Sequence, residues 1–302
     1  MKKIQLHINH PNDYALDIGA PVYHPHVSII HYDEVGEIRH TLNRFNVFAL
    51  FLQREFPENL VYGVGTYQNS DGSLLAYAPG QIGGKSDDGT LKQYHGWVLM
   101  FDTEFIRDTP IANRLSDYHF FSYNANEALI LTTEEKGILN GLMQNIRTEL
   151  TQHRDEALTD DIVKSYIQLI LDYCSRFYMR QFKEHSATGS DILARFQQLL
   201  VDYYARGEQQ RRGLPSVKYC ASELCLSPGY FGDIVRNALV ESPKDYIRSF
   251  IIMRAKGLLL GGMSVTQVAE ELGFSYPNHF TRLFKNSAGI TPSQFLEQQR
   301  KG

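Results

Sequence analysis

Long apolar runs are missing from this chain of 302 residues. No stretch approaches the roughly 20 apolar residues that span a bilayer. The basic start Met1-Lys2-Lys3 is not followed by the apolar run of a signal peptide. A cytoplasmic protein with no membrane partner is expected. Cysteine is scarce: Cys174, Cys220 and Cys225 are an odd number in a long chain, which excludes a disulfide framework. Cys220 and Cys225 lack the paired Cys or His spacing of a zinc site, so a reduced, structural role is expected. The Gly63-Val64-Gly65 pair has no third glycine and no following helical pattern, so it makes no phosphate cradle. No nucleophile is paired with a base, and no catalytic residue is expected. The net charge is only −4, and 43% hydrophobic with 21% charged residues excludes wholesale disorder and fibrous repeats.

What is present is an asymmetry of charge. Residues 190–302 carry 14 Lys and Arg against 10 Asp and Glu, while residues 1–189 carry 16 against 24. A basic C-terminal part on an acidic chain suits an anionic partner at that end. The length is comfortable for two domains, each burying its own core.

Residues 1–132 alternate short apolar runs with turn clusters. Val27–Tyr32, Val47–Leu52 and Trp97–Phe101 are strand-like, and Gly83–Gly89 is a turn cluster. A small β-barrel or sandwich is expected there. From Thr133 the period becomes helical, with a stripe of Ile138, Leu139, Leu142, Ile146 and Leu150. A second helix from about Thr159 carries Ile162, Val163, Tyr166, Ile167, Ile170, Leu171 and Cys174 on one side. Stripes alone do not decide whether segment 133–182 packs on its own domain or joins two chains. The polar, aperiodic stretch 183–190 reads as a linker. Residues 191–302 read as all-helical, so the fold class is α+β and multidomain.

The last part contains an internal repeat. Val217-Lys218-Tyr219-Cys220-Ala221-Ser222-Glu223-Leu224-Cys225-Leu226-Ser227 aligns with Val265-Thr266-Gln267-Val268-Ala269-Glu270-Glu271-Leu272-Gly273-Phe274-Ser275, with Val, Ala, Glu, Leu and Ser coinciding. One residue later in register, Phe231, Ile234, Val235, Arg236 and Pro243 fall over Phe280, Leu283, Phe284, Lys285 and Pro292. Each unit reads as two helices facing across a tight turn, with a buried Ala allowing close approach. In the second unit Gly273 supplies the turn. Val268, Ala269, Leu272, Phe274, Phe280, Leu283 and Phe284 are its expected core. Asn278, Thr281, Arg282 and Lys285 then share a polar, basic helix face suited to a major groove, where polar side chains read bases and cations hold phosphates. A connecting helix from about Pro243 to Gly261 spans about 28 Å, against about 34 Å between successive major grooves.

With these residues assembled, the C-terminal portion, about 192–299, closely resembles the AraC family of bacterial transcription regulators. The most specific stretch is Val268-Ala269-Glu270-Glu271-Leu272-Gly273-Phe274-Ser275-Tyr276-Pro277-Asn278-His279-Phe280-Thr281-Arg282-Leu283-Phe284-Lys285, followed by Gly289-Ile290-Thr291-Pro292-Ser293. The resemblance implies sequence-specific binding of double-stranded promoter DNA by two helix-turn-helix units in adjacent major grooves. It also implies RNA polymerase as a partner, a cupin-like N-terminal barrel sensing a small-molecule effector, and a homodimer formed through the helical segment. Ser275, Tyr276, Pro277 and His279 join the expected DNA interface of the second unit, and Ser227, Tyr230 and Arg236 that of the first. The first unit places Gly229, Gly232 and Asp233 where the family contacts bases. Two glycines and an acid read bases poorly, so the second helix is expected to discriminate more. Val240 stands where the second unit has Gly289, so its helix is expected to stop differently. Phe250 replaces an arginine common in the connecting helix, and no backbone contact is expected from it.

In the N-terminal part, Tyr62, Tyr67, Tyr77, Tyr94 and Trp97, with His24 and His26, are the expected effector-binding residues. Sugars and aromatic compounds would both suit them. His24-Pro25-His26 with His31 and Glu34 offers a metal set, and with it the alternative of a cupin-type metal-dependent enzyme carrying a DNA-binding appendage. The irregular carboxylate spacing and the intervening Pro25 weigh against it, and neither metal nor cofactor is expected. A constitutive DNA-binding protein without an effector is the other alternative.

Overall fold

The computed structural model describes residues 6–54, 60–62, 65–67, 72–123, 127–184 and 186–301. Gly63, Val64 and His185 lie outside the described residues, as do the side chains of Tyr62 and Tyr67. The chain divides into two compact units, 1–181 and 182–302.

The first unit contains β1 (Leu6–Ile8), α1 (Asp13–Asp17), β2 (Val27–His31), β3 (Ile38–Arg39), β4 (Leu42–Phe45), β5 (Phe48–Gln53), β6 (Leu60–Tyr62), β7 (Gly65–Tyr67), β8 (Ser73–Tyr77), β9 (Ile82–Gly84), β10 (Leu91–Lys92) and β11 (Gly96–Phe101). α2 (Pro110–Asn113) and β12 (Leu129–Ile130) follow. One sheet runs β1-β4-β9-β6-β7, a second runs β12-β8-β5-β11-β2, and β3 pairs with β10 in a short ribbon. The described strands close no ring, so the fold observed is α+β with two open sheets, coarser than the barrel expected.

The sheets share one core. Ile8, Phe45 and Leu60 of the first sheet meet Ile30, Ala49, Phe51, Leu75, Tyr77, Val98 and Met100 of the second. Phe45 stacks on Tyr77 with ring centroids 4.4 Å apart. The alternate residues of β5 and β11, including Leu50, Leu52, Leu99 and Phe101, are equally buried on the other face. Burial on both faces explains why these strands read as unbroken apolar runs. That other face is covered in part by α3 (Thr133–Gln152), which packs against β2 and β11.

α3 opens with a capping box. Thr132 Oγ1 accepts the Glu135 N–H at 3.2 Å, and the Glu135 carboxylate accepts the Thr132 N–H at 2.9 Å. The same carboxylate takes Arg180 of α4 (Thr159–Glu184) at 2.7 Å and 2.9 Å. Val163, Ile167, Ile170, Leu171 and Cys174 of the predicted α4 stripe are buried within the unit, whereas Ile162 is exposed. Burial pushes the Cys174 thiol up to about 12, which leaves it a packing residue. None of the described helices is long and apolar enough to cross a membrane.

The second unit is helical: α5 (Ser186–Ala205), α6 (Glu208–Arg212), α7 (Val217–Glu223), α8 (Pro228–Leu239), α9 (Pro243–Leu260), α10 (Val265–Glu271), α11 (Pro277–Ala288) and α12 (Pro292–Lys301). The stretch expected as a linker is occupied by the end of α4 and the start of α5.

Candidate nucleic-acid interface

The repeat in sequence is a repeat of three helices, α7-α8-α9 and α10-α11-α12. Ser216 and Ser264 cap α7 and α10, each accepting the N–H three residues on, at 3.1 Å and 3.3 Å. Pro228, Pro277, Pro243 and Pro292 each open a helix at the first position, where the missing N–H costs nothing. Cys220, Ala221, Phe231 and Val235 are buried in the first unit, and Val268, Ala269, Phe280 and Phe284 in the second.

The turns are the same shape made with different residues. Gly273 has φ +88°, and Cys225, at the equivalent place, has φ +60°. A Cβ on Gly273 would stand 2.9 Å from the Gln209 carbonyl oxygen and 3.1 Å from the Gly213 carbonyl carbon, so the α6 region permits only glycine there. The expected difference at the ends of α8 and α11 is not found. Val240 stops α8 with φ 59° and ψ 17°, as Gly289 stops α11 with φ 78°. Each donates its N–H four residues back, to Arg236 at 3.0 Å and to Lys285 at 2.8 Å. Val240 is 93% exposed, so no neighbour clashes with it, and the chain carries the strain.

α11 presents the expected face. Ser275, Tyr276, Pro277, Asn278, His279, Arg282 and Lys285 are exposed, and Thr281 is half-buried with its hydroxyl donating to the Pro277 carbonyl at 3.2 Å. His279 packs on the exposed Tyr276, ring centroids 5.4 Å apart, rather than on the core. Arg282 and Lys285 make no ion pair among the described residues. α8 differs at nearly every matching position. Ser227 is buried as the helix cap, its hydroxyl accepting the Tyr230 N–H at 3.2 Å. Gly232 is buried beneath Arg236. Tyr230 packs on Phe182, ring centroids 5.1 Å apart. Asp233 and Arg236 pair at 2.6 Å, so the acid is neutralised within its own helix and the arginine is engaged. Of the first unit's expected contacts, Ser227 and Gly232 are therefore not surface residues.

A family model described as a helix-turn-helix domain matches residues 220–298. The C-terminal domain is an AraC-type helix-turn-helix domain. The porin thermoregulatory protein EnvY of Escherichia coli K12 is 29% identical over 86 residues, 28% of this chain and 34% of its own. The uncharacterized transcriptional regulatory protein YesN of Bacillus subtilis 168 is 27% identical over 115 residues, 37% of this chain and 30% of its own. The chain thus spans about a third of the length of these curated relatives. Among solved structures, the C-terminal domain of the response regulator yesN of Fusobacterium nucleatum is 25% identical over 33% of this chain and 96% of its own, with a TM-score of 0.29. ToxT of Vibrio cholerae covers 90% of this chain and 95% of its own at 14% identity, with a TM-score of 0.30.

In the AraC-type domain a cleft of about 970 Å³ lies between the start of α7, α9 and α11. Phe274 and Leu283, expected in the core, are only half-buried and line it. Arg212, Lys244, Arg248 and Arg282 stand around it. Arg212 is paired with Glu208 at 2.9 Å and Arg248 with Asp245 at 3.1 Å, whereas Lys244 and Arg282 have no carboxylate partner among the described residues. The Ser242 hydroxyl, then Arg248, hold the Asp245 carboxyl below the usual carboxylate range. Lys244 and Arg248 escaped the reading of the sequence, although they sit one turn apart at the start of α9. Phe250 stacks on Tyr204 as a packing residue. Cys220 is buried, its thiol pushed up to about 12, while Cys225 is exposed.

The expected effector residues of the first unit separate. Tyr77 and Tyr94 line a space between the sheets of about 50 Å³. Trp97 does not: it lies on the alternate face of β11, its ring 4.3 Å from that of His31. His24 and His26 are at the edge of the unit, bound to Asp160 at 3.2 Å and Asp102 at 2.8 Å. The metal set read from sequence is dispersed as well, since His31 faces Trp97 and Glu34 pairs with Arg147.

Proposed function

We propose that this protein is a sequence-specific, DNA-binding transcription regulator rather than an enzyme, and that α11 is its principal reader. The exposed face of Asn278, Arg282 and Lys285, with both cations unpaired among the described residues, carries this reading. Arginine forks bidentately onto guanine and asparagine onto adenine, while lysine holds phosphate. Lys244 and Arg282 beside the 970 Å³ cleft extend the same cationic surface. α9 has 18 residues and so spans about 27 Å, which suits two helices set in neighbouring grooves of about 34 Å spacing. The experiment is fluorescence anisotropy with duplex promoter DNA from upstream of the protein's own gene, at low salt where phosphate contacts are strongest. Tight binding that outcompetes random duplex is expected. Equal affinity for both would leave the reading without support.

The first unit is then the regulatory part: a cupin-like sensor in its two facing sheets, with α4 joining two chains through the exposed Ile162, Leu169 and Met179. Light scattering of the full chain tests the dimer. The space between the sheets holds about 50 Å³, far below the roughly 300 Å³ of ordinary ligand pockets. That favours, as the second reading, a constitutive DNA-binding protein with no effector held between its two sheets. A thermal-shift screen of sugars and aromatic compounds separates the two, because a ligand of the native state raises the melting temperature.

A further inference from the structure

We infer that His10, His26 and Asp102 form a binding site for a divalent transition-metal ion on the first unit. One ligand atom of each lies within 4.8 Å of those of the other two. Two imidazoles and one carboxylate suit zinc or nickel, whereas an oxygen-only set suits magnesium or calcium.

Three separate pieces of backbone bring these residues together, and each is held by its own bonds. β11 pairs with β2 in a register that sets Phe101 opposite Val27, so the next residues outward, Asp102 and His26, face each other at the end of the ladder. The Asp102 N–H donates to the His26 carbonyl at 3.4 Å. Pro25 restricts the backbone just before His26. His10 lies on the turn leading into α1. Asp13 accepts the N–H groups of Asn9 and His10, both at 2.8 Å, and fixes that turn. Asn12, only 5% exposed, then donates to the His24 and Pro25 carbonyls at 2.8 Å and 3.4 Å, fastening the His10 turn to the chain that carries His26. The three side chains meet through a buried amide and a strand register, not by accident of a mobile surface.

The donor atoms are also aimed, and loading exchanges the hydrogen bond between His26 and Asp102 for bonds to the metal. Asp102 accepts the Phe105 N–H with Oδ1 at 2.8 Å, which orients Oδ2 toward His26 Nδ1 at 2.8 Å. The Nδ1 lone pair of His10 is engaged only by the Asn12 N–H at 3.4 Å, a contact weak enough to yield to a metal. His24, next in the cluster, is spent elsewhere: its Nδ1 accepts the His26 N–H at 3.0 Å and its Nε2 meets Asp160 at 3.2 Å. It supports the site without being a ligand. Tetrahedral ligands at bonds of about 2.1 Å stand about 3.4 Å apart, inside the 4.8 Å within which the three donor atoms lie, and the exposed His10 ring is the one free to adjust. Three protein ligands leave the remaining positions to water.

The test uses the full-length protein, stripped with chelator and dialysed. Calorimetric titration with zinc and with nickel is expected to show one tight site per chain, unaffected by excess magnesium. His10→Ala and Asp102→Asn should each weaken that site at least tenfold, while His153→Ala, altering an exposed histidine elsewhere, leaves it unchanged. Loading should raise the melting temperature of the wild-type chain and not of the two site variants. His10 is exposed, so His10→Ala decides the matter even if Asp102→Asn fails to fold. Absence of a tight site, its retention in His10→Ala, or its loss to magnesium would each overturn the assignment.

Discussion

Val240 and Gly289 end their helices in the same left-handed conformation, at φ 59° and 78°. A β-branched residue there works against its own Cβ, at a cost of about 1–2 kcal/mol, part of which the greater freedom of an unfolded glycine would return. Val240→Gly should therefore raise the stability of the helical domain by about 0.5–1 kcal/mol. Gly289→Val should lower it by about 1–2 kcal/mol. Chemical denaturation of the two variants measures both, and a destabilising Val240→Gly would contradict the strain.

Gly273 faces a second demand that Cys225 does not. Its neighbours Gln209 and Gly213 leave no room for a Cβ, so Gly273→Ala should cost more than 1 kcal/mol, beyond conformational strain alone. Cys225→Gly, at the open equivalent, should be neutral or mildly stabilising. Equal losses from both would show that packing against α6 does not matter.

If α11 is the principal reader, α8 and α11 should respond unequally to mutation. Arg282→Ala is expected to cost about 1–3 kcal/mol of specific binding and to relax base preference at one position. Lys285→Ala should weaken all sequences alike and reduce the salt dependence by about one counterion. Arg236→Ala, which strips Asp233 of its partner at 2.6 Å, should weaken all sequences alike and leave base preference unchanged. Anisotropy titrations across a salt series distinguish these outcomes.

Acid should loosen the first unit through His40. Burial, aided by Lys85, holds this imidazole below its ordinary value of 6.5. The unfolded chain then takes up a proton first as the pH falls. Stability is whole above 6.5 and declines as the pH drops through that value. His40→Gln should flatten this part of the melting profile between pH 7 and about 5.

The helical domain was largely legible because its signals are local: capping serines, first-position prolines and a buried Ala recur at nearly constant spacing. Val240 reads in sequence as a residue that avoids a left-handed stop, yet it makes one. An exposed site lets a bulky residue bear strain that a buried one would not. The strands were legible as elements but not as partners. β11 is buried on both faces, so no alternation revealed that Trp97 points away from Tyr94. The meeting of His10, His26 and Asp102 depends on strand register and on Asn12, neither of which sequence spacing encodes.

The contact of Gly273 with Gln209 and Gly213 joins the turn of the second repeat to a segment that precedes the first. Tyr204, whose hydroxyl reaches the Leu272 carbonyl at 3.5 Å, adds to the same joint. The two repeats are consequently dovetailed rather than strung in line. A fragment begun at residue 220, where the matching family model starts, would lose the buttress of the turn before α11. A graft that keeps both repeats intact would have to carry the whole run from α5 onward.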